Sequence, residues 1–510
     1  MDTPASSQVN PKNVLFAILL LGFLGGIQTI DPIISSIALV DAAKALHFSA
    51  DTTALASSIS TLALAATVIA TGLFADRIGR KLLLMIALVV VIVGDLLVAG
   101  STSSTLYLVG RVIAGVGLGA VFGAAFAYVR AIAPDHIGSA LGQFGAAGGI
   151  ITMLGGLIGG TLVTTNWRMA YLVVPVLCLI GLALIPRMLP KVAKISASNI
   201  DYPGIVLIGL GVVGILFGVS NASSNLSAPT TWAPILIGIL ALIGFVFVEK
   251  KSSSPIFPIM LFKNPVFVVG AVSVLVWNFA QAVVVLQLSN FWQYIQHYTP
   301  TMVTFGQLPM SLLGIVASIT AGKSLAKGKS PGSRILLGFS VMTAGFLLFA
   351  VLPQHVSYFM YIPALMCIGF GLPYVVVPAG QLFMSESPAK FLGPVTSSKT
   401  TIGQFGYSLG LAGSMVLING LTDGGITKKL IASGVPPTQT GQGLDAVTTY
   451  VNTGVHVHTQ IAQDALQAAS GSYSSAFSTA MFIAAGISVA AGILSYILLL
   501  KASKKQISHS

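Results

Sequence analysis

Apolar runs of about twenty residues, parted by short polar turns, fill almost the whole chain. They recur at 13–38, 52–75, 82–101, 104–128, 138–162, 167–186, 203–220, 232–249, 265–290, 302–322, 333–352, 357–381, 396–420 and 476–501. A helix of ~20 apolar residues crosses the hydrocarbon core of a bilayer, so the pattern predicts about fourteen spanning helices. A polar link at 187–202 follows the first six. The predicted organisation is a six-helix unit at 1–186, a linker at 187–264 carrying two additional spans, and a second six-helix unit at 265–510. The second unit includes one long polar outer loop at 421–474, with some helical periodicity from Thr448 to Ala469, and this part is expected to pack over the outer mouth. His456 and His458 lie two apart in that loop without further ligand types nearby, so a solvated loop is expected there and no metal site.

Composition agrees with a membrane protein. Of 510 residues, 55% are hydrophobic and only 7% are charged, and the mean hydropathy is +0.91. A net charge of +12 would suggest nucleic acid in a water-soluble domain. Here the basic residues gather in alternate turns: Lys12; Arg77, Arg80 and Lys81; Arg130; Arg187, Lys191 and Lys194; Lys250, Lys251 and Lys263; Lys323, Lys327, Lys329 and Arg334; Lys390 and Lys399; Lys501, Lys504 and Lys505. Cytoplasmic loops carry such an excess. The expectation is a multi-pass cell-membrane protein with both termini in the cytoplasm and no nucleic-acid partner. The first apolar run is too long for a signal-peptide core and is expected to be retained. Cys178 and Cys367 both sit in apolar runs, which argues against a disulfide framework.

The turn between spans 2 and 3 concentrates polar chemistry: Gly72-Leu73-Phe74-Ala75-Asp76-Arg77-Ile78-Gly79-Arg80-Lys81. Glycines here allow close backbone approach, and the basic residues place the turn on the cytoplasmic face. The segment resembles the loop signature Gly-x-Leu-Ala-Asp-Arg-x-Gly-Arg-Lys of the major facilitator superfamily, with Phe74 in a Leu position. A partial echo at Gly322-Lys323-Ser324-Leu325-Ala326-Lys327-Gly328-Lys329 lacks the Asp, as expected for two related halves. Span 4 reads Arg111-Val-Ile-Ala114-Gly115-Val-Gly117-Leu-Gly119 and resembles the superfamily's fourth-helix motif, with Ala114 replacing a polar residue. Span 5 carries Gly155, Gly156, Gly159 and Gly160, small residues at a spacing that lets helices cross closely. The fourteen-helix drug:proton antiporters have Gly-Pro-x-x-Gly-Gly in this region, and Gly156 stands in the Pro position. Ile30-Asp31-Pro32 in span 1 and Asn166-Trp167-Arg168 after span 5 resemble the same group. The resemblance implies an all-α integral membrane protein of the major facilitator superfamily fold, two six-helix bundles plus two inserted helices, that moves small molecules by alternating access.

Among 13 acidic residues, Asp31 and Asp95 alone fall well inside spans. A charge in the hydrocarbon core is costly and marks a functional site by default. At 1.5 Å per residue, Asp31 lies ~25 Å and Asp95 ~20 Å from the cytoplasmic entry of their helices, and Arg111 lies ~10 Å below the outer face. These heights let the three meet. A carboxylate there changes its proton affinity as water and Arg111 come and go, which a proton-coupling site requires; a permanent ion pair locking span 1 to span 4 is the structural alternative. Gln28 precedes Asp31 by one turn on the same face. The turn residues Gly72, Asp76, Arg77, Gly79, Arg80 and Lys81 together with Arg130 are expected to form a latch, Asp76 bonding Arg130 and the positive end of span 13.

The second unit has no deep carboxylate. It offers Trp277, Asn278 and Gln281 on span 9, Tyr374 between Pro373 and Pro378 on span 12, and Gln404 and Tyr407 on span 13. Such a lining suits a lipophilic substrate. The resemblance to the drug:proton antiporters implies a secondary active transporter, a proton-coupled exporter of lipophilic or cationic small molecules (multidrug efflux), expected not to be an enzyme and to work with protons and membrane lipids as a monomer and without cofactor. No Gly-x-x-x-x-Gly-Lys-Ser/Thr phosphate loop is present. A lipid or amphiphile exporter, an uptake carrier for an organic anion held by Arg111, and a sensor on a transporter fold stay open; the short tails 1–12 and 502–510 offer no signalling domain for the last.

Overall fold

A computed structural model describes the chain except residues 1–10, 49, 193–200, 223–225, 253–254, 256, 389–390, 454–456 and 508–510. His456, Lys194 and Lys390 lie outside the described residues. The described residues are helices and short connections without strands. Fourteen helices are long and apolar enough to cross a membrane, and the chain is a multi-pass integral membrane protein. In the first half these are α1 (Pro11–Ala45), α2 (Ala50–Ile78), α3 (Arg80–Ala99), α4 (Ser104–Ile132), α5 (Ile137–Thr165) and α6 (Val173–Met188), the last preceded by a one-turn helix Trp167–Ala170. Two more, α7 (Tyr202–Ala222) and α8 (Pro229–Lys251), follow. The second half has α9 (Pro265–Tyr294), α10 (Leu308–Ala326), α11 (Pro331–Val351), α12 (Ile362–Ser385) and α13 (Leu392–Ala432), then a short α14 (Thr440–Thr453) and the last span, α15 (Gln460–Ile507).

Local chemistry starts and stops these helices. Ser103 accepts from the Leu106 amide to cap α4, Asp201 accepts from Gly204 to cap α7, and Asn264 accepts from Val266 ahead of Pro265 in α9. Between α2 and α3 the chain reverses at Gly79, whose φ of 100° is a backbone region that a side chain disfavours.

Six helices on each side enclose their own apolar cores. The core of the first half also takes in Ala317, Ala321 and Leu325 of α10 and Tyr374, Val377 and Met384 of α12. The halves therefore join near the end of the bundle that carries Arg77, Arg80, Lys81, Arg130 and Lys323, here termed the basic end. The helices α7 and α8 pack on each other, and α7 also lies along α2 and α13. Leu236, Ile237, Leu240 and Phe247 of α8 are exposed, which in a bilayer means exposure to lipid.

Two expectations change. The 421–474 segment is mostly helix, because α13 and α15 continue far past the membrane length: at 1.5 Å per residue they reach ~60 and ~70 Å, about twice the hydrocarbon thickness. Their extensions meet α14 around a small core of Ile426, Leu430, Ala465 and Ala468, so this segment stands on the second half as a helical stalk and is not a loop. Lys399, assigned by its charge to a basic turn, instead lies within α13 and is buried.

Candidate functional site

Three helices of the first half bring together one base and two acids. Arg111 of α4 forms a two-pronged ion pair with Asp31 of α1, Nη1 to Oδ1 at 2.6 Å and Nη2 to Oδ2 at 2.9 Å. Asp95 of α3 approaches the same guanidinium at 3.7 Å. Ser60 of α2 donates to Asp31 Oδ2 at 3.3 Å. All three charged residues are sealed, with exposures of 1% for Asp31, 0% for Asp95 and 2% for Arg111. The two carboxylates differ in their support: Asp31 accepts three hydrogen bonds, whereas among the described residues no donor reaches either oxygen of Asp95. Two acids share one base in a buried pocket, and the cluster is neutral when one carboxyl carries a proton.

Aromatic residues close this pocket toward the end opposite the basic one. The Tyr171 ring lies 5.6 Å from the Arg111 guanidinium carbon. Its hydroxyl donates to Ser35 and lies 2.6 Å from the Tyr107 hydroxyl. Phe48 and Trp167 pack against Tyr107 edge-on and tilted. Gln28 is half-buried one turn along α1 from Asp31. Gly155 and Gly159 of α5 face Ile30 and Ile34 of α1 so closely that an added Cβ would lie 2.4 and 2.6 Å from them, whereas Gly156 and Gly160 face Ile33 and Ile37 at 3.7 and 3.9 Å.

The conspicuous cations of the sequence mostly end on backbone carbonyls at helix C-termini, where the helix dipole is negative. Lys81 donates to Pro186 and Leu189 at the end of α6, at 3.0 and 2.8 Å. Arg168 donates to Ala99 and Ser101 at the end of α3, at 2.8 and 2.6 Å, with Trp167 stacked on its guanidinium at 4.3 Å. Arg130 reaches across the halves to the carbonyls of Met384 and Ser387 at the end of α12. Arg80 is buried and donates to Ala127 of α4 at 3.3 Å. Gly72 is buried within α2, and Arg77 is half-buried near its end. The side chain of Asp76, and hence the expected bond from Asp76 to Arg130 and the start of α13, lies outside the described residues.

At the basic end the halves interlock backbone to backbone. A Cβ on Gly142 of α5 would lie 2.5 Å from the Ser318 carbonyl and 2.8 Å from Gly322 Cα of α10. Nearby, Gly138 meets Leu325 of α10 and Gln381 of α12, and Gly380 meets Leu141 and Phe126. Among the described residues, α1 packs extensively on no helix of the second half.

On the second half, Trp277, Asn278, Gln281, Gln404 and Tyr407 are half-buried, and Tyr374 is buried and stacked on Phe370 at 4.3 Å. Asn278 donates to Val274 of its own helix and packs on Gly403. Sequence reasoning missed Lys399, whose ammonium lies 4.4 Å from the Phe126 ring centre, 5.6 Å from Phe122 and 5.9 Å from Trp277. The signal was present: Lys399 sits within an unbroken Ser/Thr run, Thr396-Ser397-Ser398-Lys399-Thr400-Thr401, without the neighbouring cations or glycine that mark the basic turns of this chain. Ser60, Tyr107 and Tyr171 were also missed; Tyr107 lies one turn before Arg111, the spacing of helix-surface neighbours.

Two bundles of membrane-length helices that meet at one end, with a sealed acid–base cluster inside one of them, define a membrane carrier. The chain belongs to the Major Facilitator Superfamily, whose sequence profile matches residues 14–411. It is similar to the lincomycin resistance protein LmrB of Bacillus subtilis (strain 168), 24% identical over 80% of this chain and 85% of that one. It is also similar to the multidrug transporter protein MdtP of the same organism, 27% identical over 71% of this chain and 67% of that one. An uncharacterized MFS-type transporter of Mycobacterium tuberculosis is 26% identical over 72% of this chain, which spans about half (54%) of that longer relative. Among solved structures, the human organic anion transporter MFSD10 shares the fold at a TM-score of 0.59 and 14% identity, covering 96% of this chain and 100% of that one. The proton:xylose symporter XylE does so at 0.59 and 13%, covering 93% and 95%.

Proposed function

We propose that this chain is a proton-coupled exporter of lipophilic small molecules that works by alternating access of its two halves. The observation that carries the reading is the sharing of one buried base, Arg111, by two buried acids, Asp31 and Asp95. With Asp31 held in a two-pronged pair and Asp95 left without hydrogen bonds, Asp95 is the carboxyl that takes the travelling proton, and Asp31 keeps Arg111 in place. Similarity to multidrug and lincomycin resistance transporters supports export of drug-like molecules.

The basic end is cytoplasmic in this reading, since cationic turns are retained inside, and both termini lie there. Interlocking of α5 with α10, and of Arg130 with the end of α12, then closes the cytoplasmic side and supports an outward-open state. For inward opening, Arg130 must release the α12 carbonyls and α5 must part from α10. A membrane potential supplies ~2.3 kcal/mol per charge per 100 mV to drive the cycle.

The test is dye accumulation in everted vesicles energised by respiration, using anilinonaphthalene dyes of neutral, anionic and cationic form. At least one dye should accumulate, and a protonophore, Asp31→Asn or Asp95→Asn should each abolish it. Accumulation that persists under all three contradicts proton coupling at this cluster.

A further inference from the structure

We propose that the seam between the halves holds an anion-binding subsite built on Lys399, and that the exported molecule is a lipophilic organic anion; this rests on the transport reading above and specifies its substrate class.

Lys399 is 6% exposed, inside α13, where α13 meets α4 of the opposite half and α9 of its own. An ammonium is strongly hydrated, and burying one is costly unless something replaces its water. Three aromatic rings, Phe122, Phe126 and Trp277, supply part of that replacement. Among the described residues no carboxylate pairs with it. The acids of the first half are too far to help: Phe122 lies eleven residues beyond Arg111 on α4, or ~17 Å along the helix. A cation arriving at this place meets an uncompensated positive charge, and an anion meets its counter-charge.

The Ser/Thr residues that flank it on α13 add an independent observation. Ser397, Thr400 and Thr401 are buried on the same turn and a half of α13, and among the described residues none of their side-chain oxygens has a hydrogen-bond partner. Buried hydroxyls in folded proteins nearly always find a partner, and within a helix the carbonyl one turn back is the usual one. Thr400 follows Lys399 directly along α13, and its unused donor suits a carboxylate, sulfonate or phosphate monoester; Ser397 and Thr401 lie toward the opposite side of the helix, Ser397 against Gly123 of α4. The rings of Phe122 and Phe126, parallel within 7°, together with Trp277 provide apolar contact for the rest of such a molecule. Because Phe122 and Phe126 belong to one half and Lys399 and Trp277 to the other, an anion bound here touches both moving parts.

The test uses three dyes with one ring system, anilinonaphthalene sulfonate, N-phenylnaphthylamine and an anilinonaphthalene trimethylammonium, against wild type, Lys399→Met and Lys399→Arg. Wild type should bind and accumulate the sulfonate in preference to the other two. Lys399→Met should weaken sulfonate binding by more than about tenfold while leaving the neutral dye unchanged, and Lys399→Arg should keep the preference. A lower melting temperature in Lys399→Met with the ranking of the dyes unaltered would make Lys399 a strut between the halves and overturn the inference. Faster movement of the cationic dye, or equal movement of all three, overturns the inference but leaves transport intact. Movement of none overturns the transport reading as well. Displacement of the bound sulfonate by lysophosphatidate alone supports a lipid headgroup as occupant, and by naphthoate alone a soluble organic anion; displacement by neither counts against the subsite.

Discussion

The protein buries charge in two places and treats it differently in each. Inside the first half, Asp31, Asp95 and Arg111 answer one another, and Tyr171 and Tyr107 close the pocket above them. At the seam, Lys399 has aromatic rings but, among the described residues, no acid. A charge paired within one rigid half can change protonation without a ligand touching it. A charge left unpaired where two halves meet waits for something that comes and goes. In the proposed reading the first place couples protons and the second recognises substrate, ~17 Å apart along α4.

Substitutions can break that contrast. The largest effect on stability is expected from Asp31→Asn, which leaves Arg111 buried with only the distant contact to Asp95. Breaking a buried pair from one side costs about 3–5 kcal/mol, so the melting temperature in detergent should fall steeply. The double variant Asp31→Asn/Arg111→Gln should recover much of the loss. An unchanged melting curve for the single variant would mean that the pair is not a structural clamp.

A smaller cost, about 1–3 kcal/mol for overpacking, is expected from Gly142→Leu, whose side chain would collide with the Ser318 carbonyl and Gly322. This variant separates the two places, because it wedges the basic end apart and leaves the Asp31 cluster untouched. A cysteine introduced at Ser318, buried in wild type, should become reactive to a membrane-impermeant maleimide from the basic side, and transport should stop. Continued protection of that cysteine would argue that the interlock at this end yields elsewhere.

The smallest effects on stability are expected at the partners that are not hydrogen-bonded. Asp95→Asn and Lys399→Met should each melt within about 1 kcal/mol of wild type, since neither removes a satisfied bond. Their functional effects should part company: Asp95→Asn removes proton movement but keeps dye binding, whereas Lys399→Met alters which dye binds. Identical phenotypes for the two would dissolve the contrast.

Much of this architecture was legible in the sequence, and the reasons differ by element. Apolar run length is a physical requirement of the bilayer, so the fourteen spans could be counted directly. Helical rise put Asp31, Asp95 and Arg111 at similar heights, and in the structure their side chains lie within 2.6 to 3.7 Å of the shared guanidinium. The extensions of α13 and α15 were legible only in the periodicity from Thr448 to Ala469, which overlaps the start of α15, because polar helices rich in Ser, Ala and Gln outside the membrane carry no long apolar run. The partners of Lys81, Arg130 and Arg168 were hidden as well, because they are backbone carbonyls, which every residue offers and no residue type announces. Lys399 was misread for a general reason: a lysine between two apolar stretches is usually a loop residue obeying the charge asymmetry of membranes, and the uncharged Ser/Thr run on both sides of it was the sequence sign against that reading.

The most direct test of the coupling claim is proton release from purified protein in weakly buffered detergent on addition of anilinonaphthalene sulfonate, read with a pH-sensitive dye. Wild type should release protons on binding, and Asp31→Asn and Asp95→Asn should bind without releasing any. Release of wild-type size from both variants would contradict the assignment of the travelling proton to this cluster.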